Sequence, residues 1–168
     1  AAALCADLPV EPITVDTPLE AAQGRRLARP VTLVPILRAG LGLADGIAAV
    51  LSEARIGHIG LRRDERTLQA VPYSLSLPAD LGSGPALIVD PMVATGGSAD
   101  HAARVLAERG CRDIRLACLV CAPQGVARML EHHPAVTLFA CALDRQLDAR
   151  GFILPGLGDA GDRYFGTG

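Results

Sequence analysis

The residues from Asp90 to Ser98 combine an acid with a small-residue turn and could bind a phosphate group. They follow the apolar run Leu87–Val89, which is typical of a strand buried on both faces, and a helical pattern begins at Ala99. When a strand, a tight turn and the N-terminus of a helix follow in this order, free backbone N–H groups and the positive end of the helix dipole point to one place. Gly96 and Gly97 would let the backbone approach a ligand closely. The pattern therefore predicts an anion site that needs no lysine.

Three charged side chains are candidates to act beside this loop. Asp90 stands where the strand ends, so its carboxylate could meet ribose hydroxyls or a hydrated cation, and capping of a turn or helix is its structural alternative. Arg38 and Arg63 follow neighbouring predicted strands and suit bidentate phosphate binding, with surface solubility as the alternative for both. A functional role is better supported for Arg38, because Arg62 and Arg66 are as available as Arg63.

The chain around these residues alternates between strand and helix patterns. We predict strands at Val10–Val15, Val31–Ile36, Arg55–Leu61, Leu87–Val89, Ile114–Cys121 and Val136–Cys141. We predict helical segments at Ala1–Asp7, Leu41–Ser52 and Ala99–Arg109 and after Pro123. The remaining segments are predicted as a surface loop at Thr17–Arg29, an excursion at Arg62–Tyr73 and a mobile connection at Ser74–Pro85. This alternation predicts an α/β fold with helices on both faces of a sheet, and ligands in such sheets bind outside the carboxyl ends of the strands.

Composition excludes several classes of function. The 168 residues are half apolar and suffice for one compact domain. Sixteen basic residues, all arginine, stand against eighteen acids, so the net charge of −2 does not suggest general nucleic-acid affinity. The absence of lysine excludes a Walker A loop. No apolar run reaches the ~18 residues that a membrane span needs, and no basic signal start is present, which predicts a cytoplasmic protein without membrane partners.

Two glycine patterns and one cysteine pair suggest chemistry that their context does not favour. Gly156–Gly161 fits a dinucleotide-binding fingerprint, but the chain leaves no room for the helix and acid that should follow it. Gly40–Gly46 follows a predicted strand and opens a predicted helix, as the fingerprint requires, but its glycine spacing differs from the fingerprint by one residue. Cys118 and Cys121 have redox or metal-ligand spacing within a predicted strand, where residues three apart face opposite sides. We therefore expect the cysteines to be reduced, buried thiols.

The four histidines receive no catalytic role from the sequence. His132 and His133 precede Pro134, where histidines commonly contact a helix C-terminus, and the sequence places no partner acid beside them. His58 and His101 are isolated. Ser98 lacks the glycine spacing of a hydrolase nucleophile.

Three blocks of the chain resemble the uracil phosphoribosyltransferase family. These blocks are Val34–Gly42, Asp90–Ser98 and Ile153–Asp162, and they occur in the family's order. The middle block alone indicates a type I phosphoribosyltransferase, whereas the last block resembles the uracil-binding hood of this one family. The resemblance implies a single type I phosphoribosyltransferase domain over 1–168, with a mostly parallel central sheet flanked by helices. Its core would span about 31–143, and a C-terminal hood at about 144–168 would form with the N-terminal segment. The family pattern extends before Ala1, so part of the N-terminus is expected to be missing.

The activity implied by the resemblance is attack of uracil N1 on C1 of 5-phosphoribosyl 1-diphosphate (PRPP), giving UMP and diphosphate. Catalytic roles would fall to Arg38, Asp90 and Asp159, and the peptide bond before Arg38 would be strained or cis. Arg38 and Arg63 would bind the diphosphate, and Asp90 the ribose hydroxyls. The implied PRPP site is completed by Pro91, Met92, Val93, Ala94, Thr95, Gly96, Gly97, Ser98 and Asp159. The implied uracil site consists of backbone groups of Ile153, Gly158, Asp159 and Ala160.

The resemblance also implies partners and leaves alternatives open. Mg²⁺ is the implied cofactor, bound mainly through PRPP with no direct side-chain ligand. The family forms homodimers or larger homo-oligomers, and some members respond to GTP. Phe152 stands where the family commonly has tyrosine, so one hydroxyl contact near the base would be lost. Two alternatives remain: a non-enzymatic RNA-binding and nucleotide-sensing regulator on the same fold, and a phosphoribosyltransferase for another base.

Overall fold

The computed structural model describes residues 2–63 and 70–167, and these form five α-helices and twelve β-strands. The helices are α1 (Ala2–Cys5), α2 (Gly40–Ala48), α3 (Gly97–Glu108), α4 (Pro123–His132) and α5 (Ala160–Phe165). The strands are β1 (Val10–Asp16), β2 (Ala21–Leu27), β3 (Thr32–Leu37), β4 (Arg55–Ile56), β5 (His58–Arg63), β6 (Ala70–Ser76), β7 (Ala86–Val89), β8 (Met92–Val93), β9 (Ile114–Cys121), β10 (Thr137–Leu143), β11 (Gln146–Leu147) and β12 (Ile153–Leu154). None of the described helices is long and apolar enough to cross a membrane.

Uninterrupted apolar runs form the centre of the main sheet. All four residues of β7 are buried, as are Thr32 to Ile36 of β3. The strand order is β10-β9-β7-β3-β5-β6, with β4 paired to β3 and β8 paired to β9. Every pair in this sheet is parallel except β5 with β6. The structure thus confirms an α/β fold with a mostly parallel sheet, including the βαβ unit that runs from β3 through α2 to β5.

Neighbouring residues of the central strands point to opposite faces of the sheet, and helices cover both faces. Ile88 lies in a core cluster with Leu106 of α3 and Met129 of α4. Leu87, the residue before it, lies in a second cluster with Ile47 of α2. Because alternate residues of a strand face opposite sides, two apolar faces require two helical layers. The predicted covering of both faces is confirmed.

Two segments predicted to lack regular structure contain strands. Within Thr17–Arg29, residues Ala21–Leu27 form β2, which pairs antiparallel with β1 in a separate two-stranded sheet. Most residues of this hairpin are exposed, so no apolar alternation marks β2 in the sequence. Ala70–Ser76 form β6, which pairs with β5 and extends into both segments predicted as an excursion and a connection. It is an edge strand, and residues 64–69 of that excursion lie outside the described residues.

The cysteine pair Cys118 and Cys121 lies on one side of β9, contrary to the prediction. The N–H groups of Leu119 and Val120 both donate to the carbonyl oxygen of Pro91, at 3.0 Å each. The pairing of β9 with β10 is also interrupted at Leu119, between Cys118 and Val120, so the regular alternation of side chains changes there. Both side chains lie in one core cluster, and Cys121 Sγ donates a hydrogen bond to the carbonyl oxygen of Ala142 at 3.4 Å. Burial raises the pKa of Cys118 to about 12, so this thiol is a poor nucleophile.

All five cysteines are free thiols, but not all are buried as expected. Cys111, Cys118 and Cys121 are buried, whereas Cys5 is half-buried and Cys141 is exposed. Cys141 belongs to β10, an edge strand whose residues are mostly exposed, so its apolar sequence does not imply a core position. Among the described residues, no group of three or more His, Cys, Asp or Glu side chains could hold a metal ion.

Candidate active site

The segment between β7 and α3 surrounds a cavity of about 250 Å³ at the carboxyl ends of the parallel strands. The residues lining it are Asp90, Met92, Val93, Ala94, Thr95, Gly96, Gly97, Ser98, Ala99 and Asp159. Asp159 comes from the C-terminal segment, far from the others in sequence. The structure therefore brings the predicted anion loop and the predicted hood to one site.

The N-terminus of α3 opens onto this cavity. The helix begins after Gly96, whose φ of 77° is in the left-handed region that favours glycine. No side chain of the described residues caps α3. The N–H groups of a first helical turn have no partner within the helix, and Gly97 makes only a long contact of 3.5 Å with Thr95 Oγ1. These donors, together with the helix dipole, are available to a bound anion.

Asp90 is a half-buried residue whose carboxyl group has few partners. One oxygen accepts a hydrogen bond from the backbone N–H of Met92 at 3.3 Å. Burial raises the pKa of Asp90 to about 7, and the hydrogen bond from Met92 offsets only part of this effect. A carboxylate removed from water needs hydrogen-bond donors or a cation to compensate it. The site therefore favours a ligand that brings hydroxyl groups or a cation to Asp90.

A second cavity of about 210 Å³ adjoins the first beneath the C-terminal segment. The residues lining it are Ala39, Met92, Ala94, Gly151, Phe152, Ile153, Gly158, Asp159, Ala160 and Gly161. This set includes all four residues predicted for the base. Met92, Ala94 and Asp159 line both cavities, so ligands bound in the two would lie side by side.

Aspartate side chains hold the turns of the glycine-rich C-terminal segment. Asp144 Oδ2 accepts a hydrogen bond from the N–H of Gly156 at 2.9 Å. Asp148 Oδ1 accepts one from the N–H of Phe152 at 2.8 Å, and Asp159 Oδ1 caps the N-terminus of α5 at 2.9 Å. These local bonds fix a backbone that buries few side chains. The backbone groups facing the second cavity are therefore presented in a defined arrangement.

Arg38 lies at the same edge of the sheet, outside both cavities. The peptide bond between Leu37 and Arg38 is cis, in agreement with the expectation from the resemblance. Arg38 Nη2 lies 3.6 Å from Asp162 Oδ1, and its guanidinium stands 5.5 Å from the ring centroid of Phe165. The side chain is 56% exposed, so it can reach a ligand at this edge.

Two further predicted PRPP contacts remain predictions. β5 ends at Arg63, whose side chain lies outside the described part of the chain. Pro91 lines a separate, mostly apolar cavity with Leu119 and Tyr164, and its carbonyl oxygen is engaged by β9. Pro91 belongs to the loop between β7 and α3, but it does not line the first cavity, which that loop surrounds.

The loop Asp90–Ser98 packs closely against α4, and no pattern in the sequence predicts this contact. A methyl group added to Gly125 would lie 2.6 Å from the carbonyl oxygen of Ala94 and 2.8 Å from that of Val93. A methyl group added to Gly96 would lie 2.9 Å from the carbonyl oxygen of Gly125. Only residues without a side chain allow these two backbones to approach so closely. α4 thus supports the phosphate loop directly.

An ion cluster also joins α4 to the first turn of α3. Asp100 Oδ2 accepts hydrogen bonds from Arg128 Nε and Nη2 at 2.9 and 2.7 Å, while Oδ1 contacts His133 Nε2 at 2.7 Å and His132 Nδ1 at 3.3 Å. Burial opposes ionisation of Asp100, but these hydrogen bonds outweigh it and hold its pKa at about 2. The sequence placed no acid near the histidine pair. Asp100 in the first turn of the neighbouring helix was the available signal.

Comparison with known proteins places the whole chain in one group. The family model described as uracil phosphoribosyltransferase matches residues 1–167. A uracil phosphoribosyltransferase from Ligilactobacillus salivarius is 50% identical over 162 residues, which cover 96% of this chain and 78% of the relative. A solved Aquifex aeolicus protein has a TM-score of 0.92 and 33% identity over 98% of this chain and 79% of its own. A purine phosphoribosyltransferase from Pyrococcus horikoshii, at TM-score 0.51 and 23% identity over 56% of this chain and 63% of its own, shares the fold alone.

Proposed function

The chain belongs to the uracil phosphoribosyltransferase family, and we propose that its two adjoining cavities bind PRPP and uracil side by side. It transfers the 5-phosphoribosyl group from PRPP to N1 of uracil, giving UMP and diphosphate. The observation that carries the assignment of the two cavities is their shared wall of Met92, Ala94 and Asp159. A base in the hood would lie against the ribose carbon that it attacks.

Binding of the donor follows from the groups around the first cavity. The free N–H groups at the start of α3 would bind the 5-phosphate, because they combine donors with the positive end of a helix dipole. Asp90 would accept hydrogen bonds from the ribose hydroxyls, which compensate its burial. Arg38 would bind the diphosphate and neutralise the negative charge of the leaving group.

The reaction needs positioning more than it needs a protein nucleophile. Transfer at C1 passes through an oxocarbenium-like state, in which the ribose carries positive charge while the diphosphate departs. The Asp90 carboxylate, on the ribose side, and Arg38, on the diphosphate side, have the charges that stabilise this separation. Holding N1 of the base against C1 converts a bimolecular encounter into a step within one complex, and the hood would exclude competing water.

Specificity for the base would come from the backbone of the hood. Ile153, Gly158 and Ala160 line the second cavity, and their main-chain N–H and C=O groups would supply donors and acceptors of fixed direction. We assign them to O4 and N3–H of uracil. Cytosine carries the opposite donor and acceptor pattern at these positions, so it would leave buried polar groups unpaired.

Mg²⁺ is the proposed cofactor, and the residues present fit this ion. Asp90 and Asp159 line the phosphate cavity, while the described residues offer no cluster of three potential protein ligands. This combination suits Mg²⁺ bound mainly through the phosphates of PRPP, because the ion keeps several waters and the two carboxylates could contact it through those waters. When bound, Mg²⁺ would supply positive charge to the diphosphate leaving group.

Four further features are proposed from the family resemblance. They are assembly into a homodimer or a larger homo-oligomer, a response to GTP, a cytoplasmic location and a role in pyrimidine salvage. Salvage is the use of free uracil, which the transfer reaction would return to the nucleotide pool.

The direct test is conversion of labelled uracil by the purified protein with PRPP and Mg²⁺. We expect labelled UMP and one diphosphate per UMP, with no product when PRPP is omitted. Absence of UMP across a range of protein and GTP concentrations would overturn the assignment. Hypoxanthine and guanine serve as competitors, because inhibition by either at concentrations similar to uracil would favour a phosphoribosyltransferase for another base.

A further inference from the structure

The helix α5 connects the base cavity to the segment that carries Arg38. At its start, Asp159 and Ala160 line the base cavity. Near its end, the ring of Tyr164 covers Gly42 of α2 so closely that an added methyl group there would lie 2.5 Å from the ring. The Tyr164 and Phe165 rings are in edge-to-face contact, with centroids 4.9 Å apart. This six-residue helix is thus packed onto the segment that follows β3.

Two side chains of α5 contact the guanidinium of Arg38. Asp162 Oδ1 lies 3.6 Å from Nη2, and the Phe165 ring centroid lies 5.5 Å from the guanidinium carbon. Asp162 is itself held in place, because its Oδ1 accepts a hydrogen bond from Thr167 Oγ1 at 2.8 Å and its N–H donates to Asp159 Oδ1 at 2.9 Å. The carboxylate that faces Arg38 is therefore part of an ordered C-terminal turn.

We propose that Asp162 and Phe165 are positioning residues that hold Arg38 in the orientation that binds the diphosphate of PRPP. The proposal rests on the proposed function, in which Arg38 binds this group, and it deepens that function by naming what orients Arg38.

The reason is the conformational freedom of arginine. An exposed arginine loses many side-chain conformations when it binds a ligand, and a side chain already restricted before binding loses fewer. A guanidinium has five N–H donors, so a contact through Nη2 leaves others free for phosphate oxygens. Contact with an aromatic ring restricts the plane of the guanidinium without using any donor. Asp162 and Phe165 would therefore lower the cost of diphosphate binding while leaving Arg38 able to bind it.

The proposal predicts an effect confined to ligands that carry the diphosphate. The experiment measures the dissociation constants of PRPP with Mg²⁺ and of ribose 5-phosphate by titration calorimetry, for the intact protein and for Asp162→Asn. We expect Asp162→Asn to weaken PRPP binding by roughly two- to fivefold, as for exposed ion pairs, and to leave ribose 5-phosphate unchanged. We expect Phe165→Leu to weaken PRPP binding by about twofold or more, since the ring contact is also exposed.

A double-mutant cycle tests whether Asp162 acts through Arg38. In the Arg38→Gln background, adding Asp162→Asn should cause no further loss of PRPP affinity, because its target is already absent. The matched control is Glu108→Gln, which removes another exposed ion pair of 3.6 Å, to Arg104, on the far part of α3. It should change neither affinity.

Three results would overturn the proposal. One is equal weakening of PRPP and ribose 5-phosphate by Asp162→Asn, and another is the same loss in the Arg38→Gln background. The third is unchanged PRPP affinity in Arg38→Gln, which would instead remove the diphosphate role of Arg38 from the proposed function. If Asp162→Asn fails to fold, as judged by its thermal transition, the double-mutant cycle with Arg38→Gln is measured with Phe165→Leu instead, and the same results would overturn the proposal.

Discussion

At the scale of single residues, the site depends on a carboxyl group that the fold leaves uncompensated. Asp90 is joined to one backbone N–H at 3.3 Å, and burial raises its pKa to about 7. Such a group reduces stability when it is ionised, and it gains when a ligand supplies donors or positive charge. Asp90 therefore favours ligand binding while it lowers the stability of the ligand-free protein. This gives two predictions.

The first prediction concerns Asp90→Asn. The pKa is higher in the folded protein than the ordinary 3.8, so ionisation of Asp90 lowers stability progressively between about pH 4 and pH 7. Near pH 8 we expect Asp90→Asn to raise the free energy of unfolding by on the order of 2 kcal/mol and to lower kcat/KM for PRPP by about a hundredfold. Near pH 4 the gain in stability should vanish. Denaturant titrations at both pH values check this, and equal stability of the two proteins at pH 8 would contradict it.

The second prediction concerns the pH dependence of the reaction. Asp90 supplies the negative charge that stabilises the oxocarbenium-like ribose only when it is ionised, and burial raises its pKa to about 7. Below that pH, kcat/KM for PRPP should fall about tenfold per pH unit. The residual activity of Asp90→Asn serves as the control, because its pH dependence lacks the ionisation of Asp90 and retains that of PRPP. A wild-type profile that parallels this control down to pH 5.5 would show that Asp90 is not the titrating group.

At the scale of secondary-structure elements, α4 emerges as the support of the phosphate loop. It touches the loop through Gly125, and it joins the first turn of α3 through the Asp100 cluster. Neither Gly125 nor Asp100 is a residue that the sequence marks as functional. A change at either contact would alter the phosphate site. Gly125 touches the loop at Gly96, and Asp100 belongs to the first turn of α3, whose N–H groups face the ligand.

The third prediction is that Gly125→Ala lowers both stability and donor binding. The new methyl group would lie 2.6 Å from the backbone oxygen of Ala94, so the helix and the loop must separate. Overpacking of this kind costs about 1–3 kcal/mol of unfolding free energy, and we expect KM for PRPP to rise several-fold. The matched control is Gly46→Ala in α2, where an added methyl group meets nothing within 4 Å. That variant should be more stable by about 0.5–1 kcal/mol with unchanged KM, because alanine favours helix.

The fourth prediction is that Asp100→Asn destabilises the protein in a pH-dependent way. The pKa of Asp100 lies at about 2, below the ordinary 3.8, so its ionised form stabilises the fold above about pH 4 and this contribution is lost as the pH falls through 2. We expect a loss of about 2 kcal/mol at pH 7 and a much smaller one near pH 2.5. Glu108→Gln, which breaks an exposed pair, should cost less than about 0.5 kcal/mol at either pH. Equal losses for Asp100→Asn at both pH values would rule out the proposed role of its charge.

At the scale of the whole molecule, the sequence predicts structure best where burial requires apolar residues at a regular spacing, or where a turn requires particular residue types. The central strands and the helices on both faces followed from apolar patterns, and the loop at Asp90–Ser98 followed from the order of strand, glycines and helix. The strand β1 was also predicted, but its partner β2 was not, because an exposed ribbon needs no apolar alternation. The irregularity of β9 at Leu119 was also missed, since it depends on two N–H groups that donate to the one carbonyl oxygen of Pro91.

The candidate site could be predicted in part for a similar reason. Residues adjacent in sequence, such as those of the phosphate loop, can be grouped without knowing the fold. Contacts between distant segments, such as Asp100 with His133 or Asp162 with Arg38, depend on how helices pack and leave no local pattern. Such contacts form the support around the site, while the groups that would face substrate were recognisable from the sequence.

The most direct test of the proposed function is the specificity of phosphoribosyl transfer. It compares kcat/KM for uracil, cytosine and hypoxanthine at a fixed saturating concentration of PRPP with Mg²⁺. We expect UMP formation with a preference for uracil of at least about a thousandfold over cytosine, because a hood that pairs its backbone with O4 and N3–H leaves polar groups unsatisfied around the wrong base. Comparable values for cytosine or hypoxanthine, or no transfer to uracil, would contradict it.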